Sequence, residues 1–174
     1  LSLPDLFPLE SVLVSTGGNL NDDWFFPEET FASRNTPDDK PFNLEHKSGE
    51  IIGHMTASRL ATVHGSVLPA AAQPTSDFHI VNSAVIYRHW PGYEDKQKAV
   101  DTIISELSVA DQATWYVSME CRFKGFDYVL VPVEDGALAT SQAKAVARNE
   151  NTAFLTKHLR AYGGSGSYQG HRVF

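Results

Sequence analysis

The 174 residues carry 21 Asp and Glu against 14 Lys and Arg, a formal net charge of −7, and 42% of them are hydrophobic. This is the mix of one compact globular domain, and its acidic balance argues against a nucleic-acid-binding face, which needs clustered Lys and Arg. The apolar runs are too short and interrupted to span a bilayer, and the single cysteine, Cys121, excludes an internal disulfide framework and a multi-cysteine zinc site. A reducing surrounding is the natural reading.

The opening "LSLPDLFPLE" has neither the basic nor the long apolar region of a signal peptide. With "GHRVF" at the other end, it suggests a processed or trimmed piece of a longer product. "SVLVST" (11–16), stopped by Gly17-Gly18, predicts a first strand and a turn. Pro27-Glu28-Glu29 predicts the first turn of a short helix, because proline is tolerated there and acids suit the positive helix end. "GEIIGHMTASRLA" (49–61) reads as a strand, with Gly53 marking a bulge or a close approach of another segment. In "FHIVNSAVIYRHW" (78–90), Phe78, Ile80, Asn82, Ala84 and Ile86 alternate against His79, Val81, Ser83, Val85 and Tyr87, the pattern of a strand.

Pro91-Gly92 ends that strand. "YEDKQKAVDTIISELS" (93–108) then places Ala99, Val100, Ile103, Ile104 and Leu107 on one face of an amphipathic helix, with its acids and lysines mainly on the other. "TWYVSMECRF", a turn at Lys124-Gly125 and "FDYVLVPV" (126–133) predict a β-hairpin. The charge order of "NENTAFLTKHLRAY" (149–162) predicts a helix, and "GGSGSYQG" (163–170) a loop. Strands and helices do not alternate regularly, which favours an antiparallel or mixed sheet, open or closed into a barrel, over a dinucleotide-binding fold.

Ser118 is the candidate nucleophile. On a strand it shares a face with Tyr116, Glu120 and Arg122, while Trp115, Val117, Met119 and Cys121 point toward the core. A serine hydroxyl needs a base to take its proton. Of seven histidines, His46 lies in a polar loop just before a strand, whereas His54 and His79 lie inside strands. None has metal-ligand spacing, so neither a metal nor another cofactor is expected. Glu120 is placed to orient a base, or to form a cross-strand ion pair. Cys121 ranks below Ser118, since its parity buries it and a reactive thiol needs an exposed, electropositive setting.

The succession "NLNDDWFFPEETF", "PFNLEH", "EIIGHM", "FHIVNSAVIYRHW", an amphipathic helix and "WYVSMECRF" resembles the prohead proteases, or prohead core proteins, of tailed bacteriophages, which are related in fold to the herpesvirus assemblins. "ARNENTAFLTKHLRAYGGSGSYQGHRVF" is similar to the same group, so the likeness runs from about residue 14 onward; order and spacing carry it, since no single motif is specific. The resemblance implies a mixed α/β fold, mainly an antiparallel β-barrel flanked by a few helices. It would be a single protease-like domain over residues 1–174 that lacks a C-terminal strand pair.

It further implies a serine endopeptidase with His46 of Asn43-Leu44-Glu45-His46 as base and Ser118 as nucleophile. Glu120 or His79 is then the third member, unless a missing end carried it. The implied substrates are phage scaffold and major capsid proteins inside the prohead, assembled in the host cytoplasm. No nucleic acid or membrane partner is expected, and self-association stays open. The competing expectation is a non-catalytic scaffold or capsid-associated protein.

Overall fold

The computed structural model describes residues 5–109, 115–120 and 123–174. In chain order the elements are β1 (Leu6–Ser15), β2 (Gly17–Gly18), β3 (Trp24–Phe25), α1 (Pro27–Ala32), β4 (Pro41–Asn43), β5 (Ile51–Thr62), β6 (Phe78–Tyr87) and α2 (Glu94–Leu107). They continue with β7 (Tyr128–Glu134), β8 (Ala137–Leu138), β9 (Lys144–Val146), β10 (Ser167–Tyr168) and β11 (His171–Val173). The chain clusters into two compact units, Leu1–Val14 with Phe31–Glu120, and Ser15–Thr30 with Cys121–Phe174.

In the first unit one sheet has the order β1-β6-β5-β4. β5 and β6 form the longest ladder, antiparallel from Gly53 opposite Ile86 to Thr62 opposite Phe78, with an irregularity between Met55 and Ala57. The alternation predicted for β6 is present: Phe78, Ile80, Asn82, Ala84 and Ile86 are all buried. Asn82 is 1% exposed; its amide nitrogen donates to Ser58 Oγ (2.9 Å), which donates to the Asp38 carboxylate (2.5 Å), while its buried Oδ1 has no hydrogen-bond partner among the described residues.

After β6, Pro91-Gly92 turns the chain, with Gly92 at φ +83°, and α2 follows with Glu94 and Asp95 in its first turn. Val100 and Ile103 of α2 join Ile52 and Ile86 in a core that also takes Phe7, Leu9, Phe42, Leu44, Trp90, Ile104 and Leu107. Burial of this face, more than helix propensity, holds a 14-residue helix in place.

In the second unit β7 is flanked on both sides. Leu130 pairs with Val173 of β11 on one side and with Lys144 of β9 on the other, and β8 continues beside β7 at Val133 and Glu134. Tyr128, Leu155, Leu159 and Val173 form the core of this unit. Asp22, whose side chain is 8% exposed, receives hydrogen bonds from Arg160 and Arg172. The Arg160 hydrogen bond above all, helped by Arg172, holds its carboxyl below the usual carboxylate range against the opposing effect of burial.

A depressed folded-state pKa gives stability that is present above the unfolded value of about 3.9 and is lost as pH falls through the folded value. Asp22→Asn should therefore lower stability by about 1–3 kcal/mol at neutral pH. It should also flatten the acid arm of a melting-temperature profile below about pH 4, a difference checked by scanning both proteins from pH 2 to 7.

Three expectations are corrected. First, among the described residues the strands form three open sheets, mostly antiparallel, with two α-helices, and no closed barrel is found. The four-stranded sheet ends at β1 and β4, which do not pair with each other, so nothing closes it. Second, within the strand predicted at "TWYVSMECRF" (114–123), residues 115–120 form no strand, and β7, its expected hairpin partner, takes its ladder bonds from β11, β8 and β9 instead. Trp115, expected in the core, is 41% exposed; Cys121 and Arg122 lie outside the described residues.

Third, the helix predicted over 149–162 is two 3-10 turns, Ala153–His158 and Arg160–Tyr162. Asn149 and Thr152 side chains bond the backbone between Ala147 and Asn151, and this local bonding competes with a helix start. Leu159, in extended conformation, separates the two turns.

Candidate active site

The candidate base sits on a strained turn. β4 runs antiparallel to β5, and Phe42 and Leu44 anchor it in the first unit's core. The next two residues, Glu45 (φ +51°) and His46 (φ +57°), are both left-handed without being glycine. Lys47 N–H bonds Leu44 C=O (2.9 Å) across them, closing a two-residue turn of the mirror-image type. Each left-handed non-glycine residue costs on the order of 1 kcal/mol and persists only where the surroundings over-determine it. Here they do: Leu44 N–H bonds Glu50 C=O, and Glu50 N–H bonds Lys47 C=O, each at 2.9 Å.

From this turn the His46 ring reaches Ser118. His46 Nε2 lies 2.9 Å from Ser118 Oγ, a contact between residues 72 apart in sequence. Both side chains are exposed. With the ring proton on Nδ1, Nε2 is an acceptor and the serine hydroxyl donates to it, the arrangement in which a base can take the hydroxyl proton. Glu45, beside His46, is paired with Lys47 at 2.6 Å. The Lys47 hydrogen bond holds the Glu45 carboxyl below its usual range, and Glu45 in turn raises the Lys47 ammonium.

The other named residues are placed as follows. Glu120 is exposed, two residues beyond Ser118; Tyr116 and Ser118 are exposed and Val117 and Met119 half-buried, but Trp115 is exposed, so the expected core-facing set is not buried. His79 pairs with Ala61 in the β5–β6 ladder. From Ile51, where the His46 turn re-enters the sheet, to Ala61 is ten residues of strand, on the order of 30 Å. His79 therefore cannot orient the His46 ring. Among the described residues no group hydrogen-bonds His46 Nδ1. Of the remaining histidines, His54 Nδ1 is engaged with the Tyr87 hydroxyl at 2.7 Å.

Sequence reading missed the supports of this turn, and one in particular. Lys96 was assigned to the solvent side of α2, yet its side chain is only 12% exposed and its ammonium lies 3.6 Å from Glu50 and 3.4 Å from Ile51 C=O. A lysine in the positive first turn of a helix, close behind Trp90 and Tyr93, was the available signal. Among the described residues no group of three or more His, Cys, Asp or Glu is placed to hold a metal ion, and no helix is long and apolar enough to cross a membrane. Comparison with family models, with curated proteins and with solved structures finds no match to this chain.

Proposed function

We propose that this protein is a serine endopeptidase with Ser118 as nucleophile and His46 as general base, acting in the maturation of tailed-phage proheads. The observation that carries the chemistry is the 2.9 Å contact of His46 Nε2 with Ser118 Oγ, held by a strained turn. The substrate assignment, scaffold and major capsid proteins inside the prohead, rests on the ordered motifs from "PFNLEH" to "WYVSMECRF".

In acylation the Ser118 hydroxyl gives its proton to His46 Nε2 as Oγ bonds the peptide carbonyl carbon. The tetrahedral intermediate collapses with breakage of the C–N bond, and the imidazolium returns the proton to the departing amine. Water then attacks the acyl-serine ester by the same proton route, releasing the acid and restoring the hydroxyl. Exposure of both side chains lets an extended polypeptide reach the pair without a deep pocket.

The exposure of both the Ser118 and His46 side chains also suits a second reading. In it the chain is a non-catalytic structural protein of the phage head and the Ser118–His46 contact is incidental. Intact mass over time separates the two. The wild-type protein mixed with candidate scaffold and capsid proteins should generate fragments that Ser118→Ala does not; identical, uncleaved mixtures would favour the structural reading.

A further inference from the structure

Lys96 is costly where it stands. It occupies the third position of α2, at the positive end of the helix dipole, with most of its side chain removed from water. The ammonium is 4.4 Å from the centre of the Trp90 ring and 5.5 Å from that of Tyr93. Trp90 is itself immobilised: its indole N–H bonds Tyr87 C=O (3.0 Å) and its backbone N–H bonds the Gln97 side chain (2.8 Å). From this platform Lys96 reaches across to Ile51 C=O and the Glu50 carboxylate. Those two residues form the exit of the turn that carries His46, and Glu50 C=O also receives Leu44 N–H from its entrance. Besides those two rings, the partners of the cation lie on the turn. What the cation holds is the turn.

We propose that Lys96 is a positioning residue for His46, clamping the 44–50 turn to α2 so that Nε2 stays within reach of Ser118; this rests on the serine-hydrolase reading above. A displacement of about 1 Å at a reacting group costs on the order of 10²-fold in rate. A loosened turn should therefore show in Ser118 reactivity before it shows in stability.

The test is the rate at which an alkyl fluorophosphonate labels Ser118 in wild type, Lys96→Met and Lys96→Arg. The phosphonyl group bonds Oγ, fluoride leaves, and His46 takes the proton, so no natural substrate is needed. Lys96→Met should label at least about tenfold more slowly while staying folded at the assay temperature, and Lys96→Arg should recover most of the rate, since it keeps the cation. If Lys96→Met does not fold, Glu50→Gln, which removes one partner and keeps the shape, should slow labelling by about threefold. A labelled wild type with folded variants reacting at its rate overturns the positioning role alone. An unlabelled wild type overturns the hydrolase reading and this role with it.

Discussion

If Ser118 is the proposed nucleophile, Ser118→Ala should lower peptide-bond turnover by at least about 10⁴-fold while moving stability by no more than about 0.5 kcal/mol. The serine is exposed, and its one assigned partner is the equally exposed His46 ring, so its removal opens no cavity and strands no buried group. His46→Ala should lose a comparable amount of turnover. The double variant should be about as inactive as either single one, because a nucleophile and its base act as one unit and their losses do not add. That non-additivity distinguishes a working pair from two independent surface residues. Initial rates on a cleaved scaffold or capsid substrate, with melting curves on the same samples, measure both halves. Unfolding of Ser118→Ala would show that the serine is structural.

Gly53→Ala should be the most destabilising small substitution in the first unit, costing about 3–5 kcal/mol. A Cβ at Gly53 would fall inside the van der Waals envelope of the Val85 carbonyl oxygen, 2.9 Å from the Val85 carbonyl carbon and 3.0 Å from Ile86 Cα. All three are backbone atoms of β6, which no rotamer change can move. Gly53 also faces Phe42, the residue that ties the strand leading to His46 into the core. Activity should therefore fall with stability. Gly49→Ala is the control: nothing lies within 4 Å of its Cβ position, and a change within about 0.5 kcal/mol is expected in chemical denaturation.

What the sequence made legible follows the range of the forces involved. β6 and α2 were readable because each buries one face and so prints its period directly into the chain. Gly53 was readable as a bulge or a close approach, and the structure gives the close approach, with the backbone of β6 where a Cβ would sit. The pairing of β7 was not readable: its neighbours β8, β9 and β11 are short and lie downstream, and not the predicted strand at 114–123 but these segments fill its ladder. The closed barrel was implied by the family likeness, while the order of strands and helices left the sheet open or closed; among the described residues the sheets are open.

Within the site, the Ser118–His46 pairing was named from the order of motifs and the geometry brings the two together. His79 failed as an orienter because position along a ladder, invisible in residue type, sets it at the far end from the His46 turn. Lys96 was passed over because a helical lysine is ordinarily solvated, and only the fold shows it lying over Trp90.

The most direct test of the central claim is site-mapped fluorophosphonate labelling of the wild-type protein beside His46→Ala. One phosphonyl adduct, carried by the peptide containing Ser118, is expected, and it should be lost in His46→Ala. An unmodified Ser118 in folded wild type, or equal labelling without His46, would contradict the assignment of the pair as nucleophile and base.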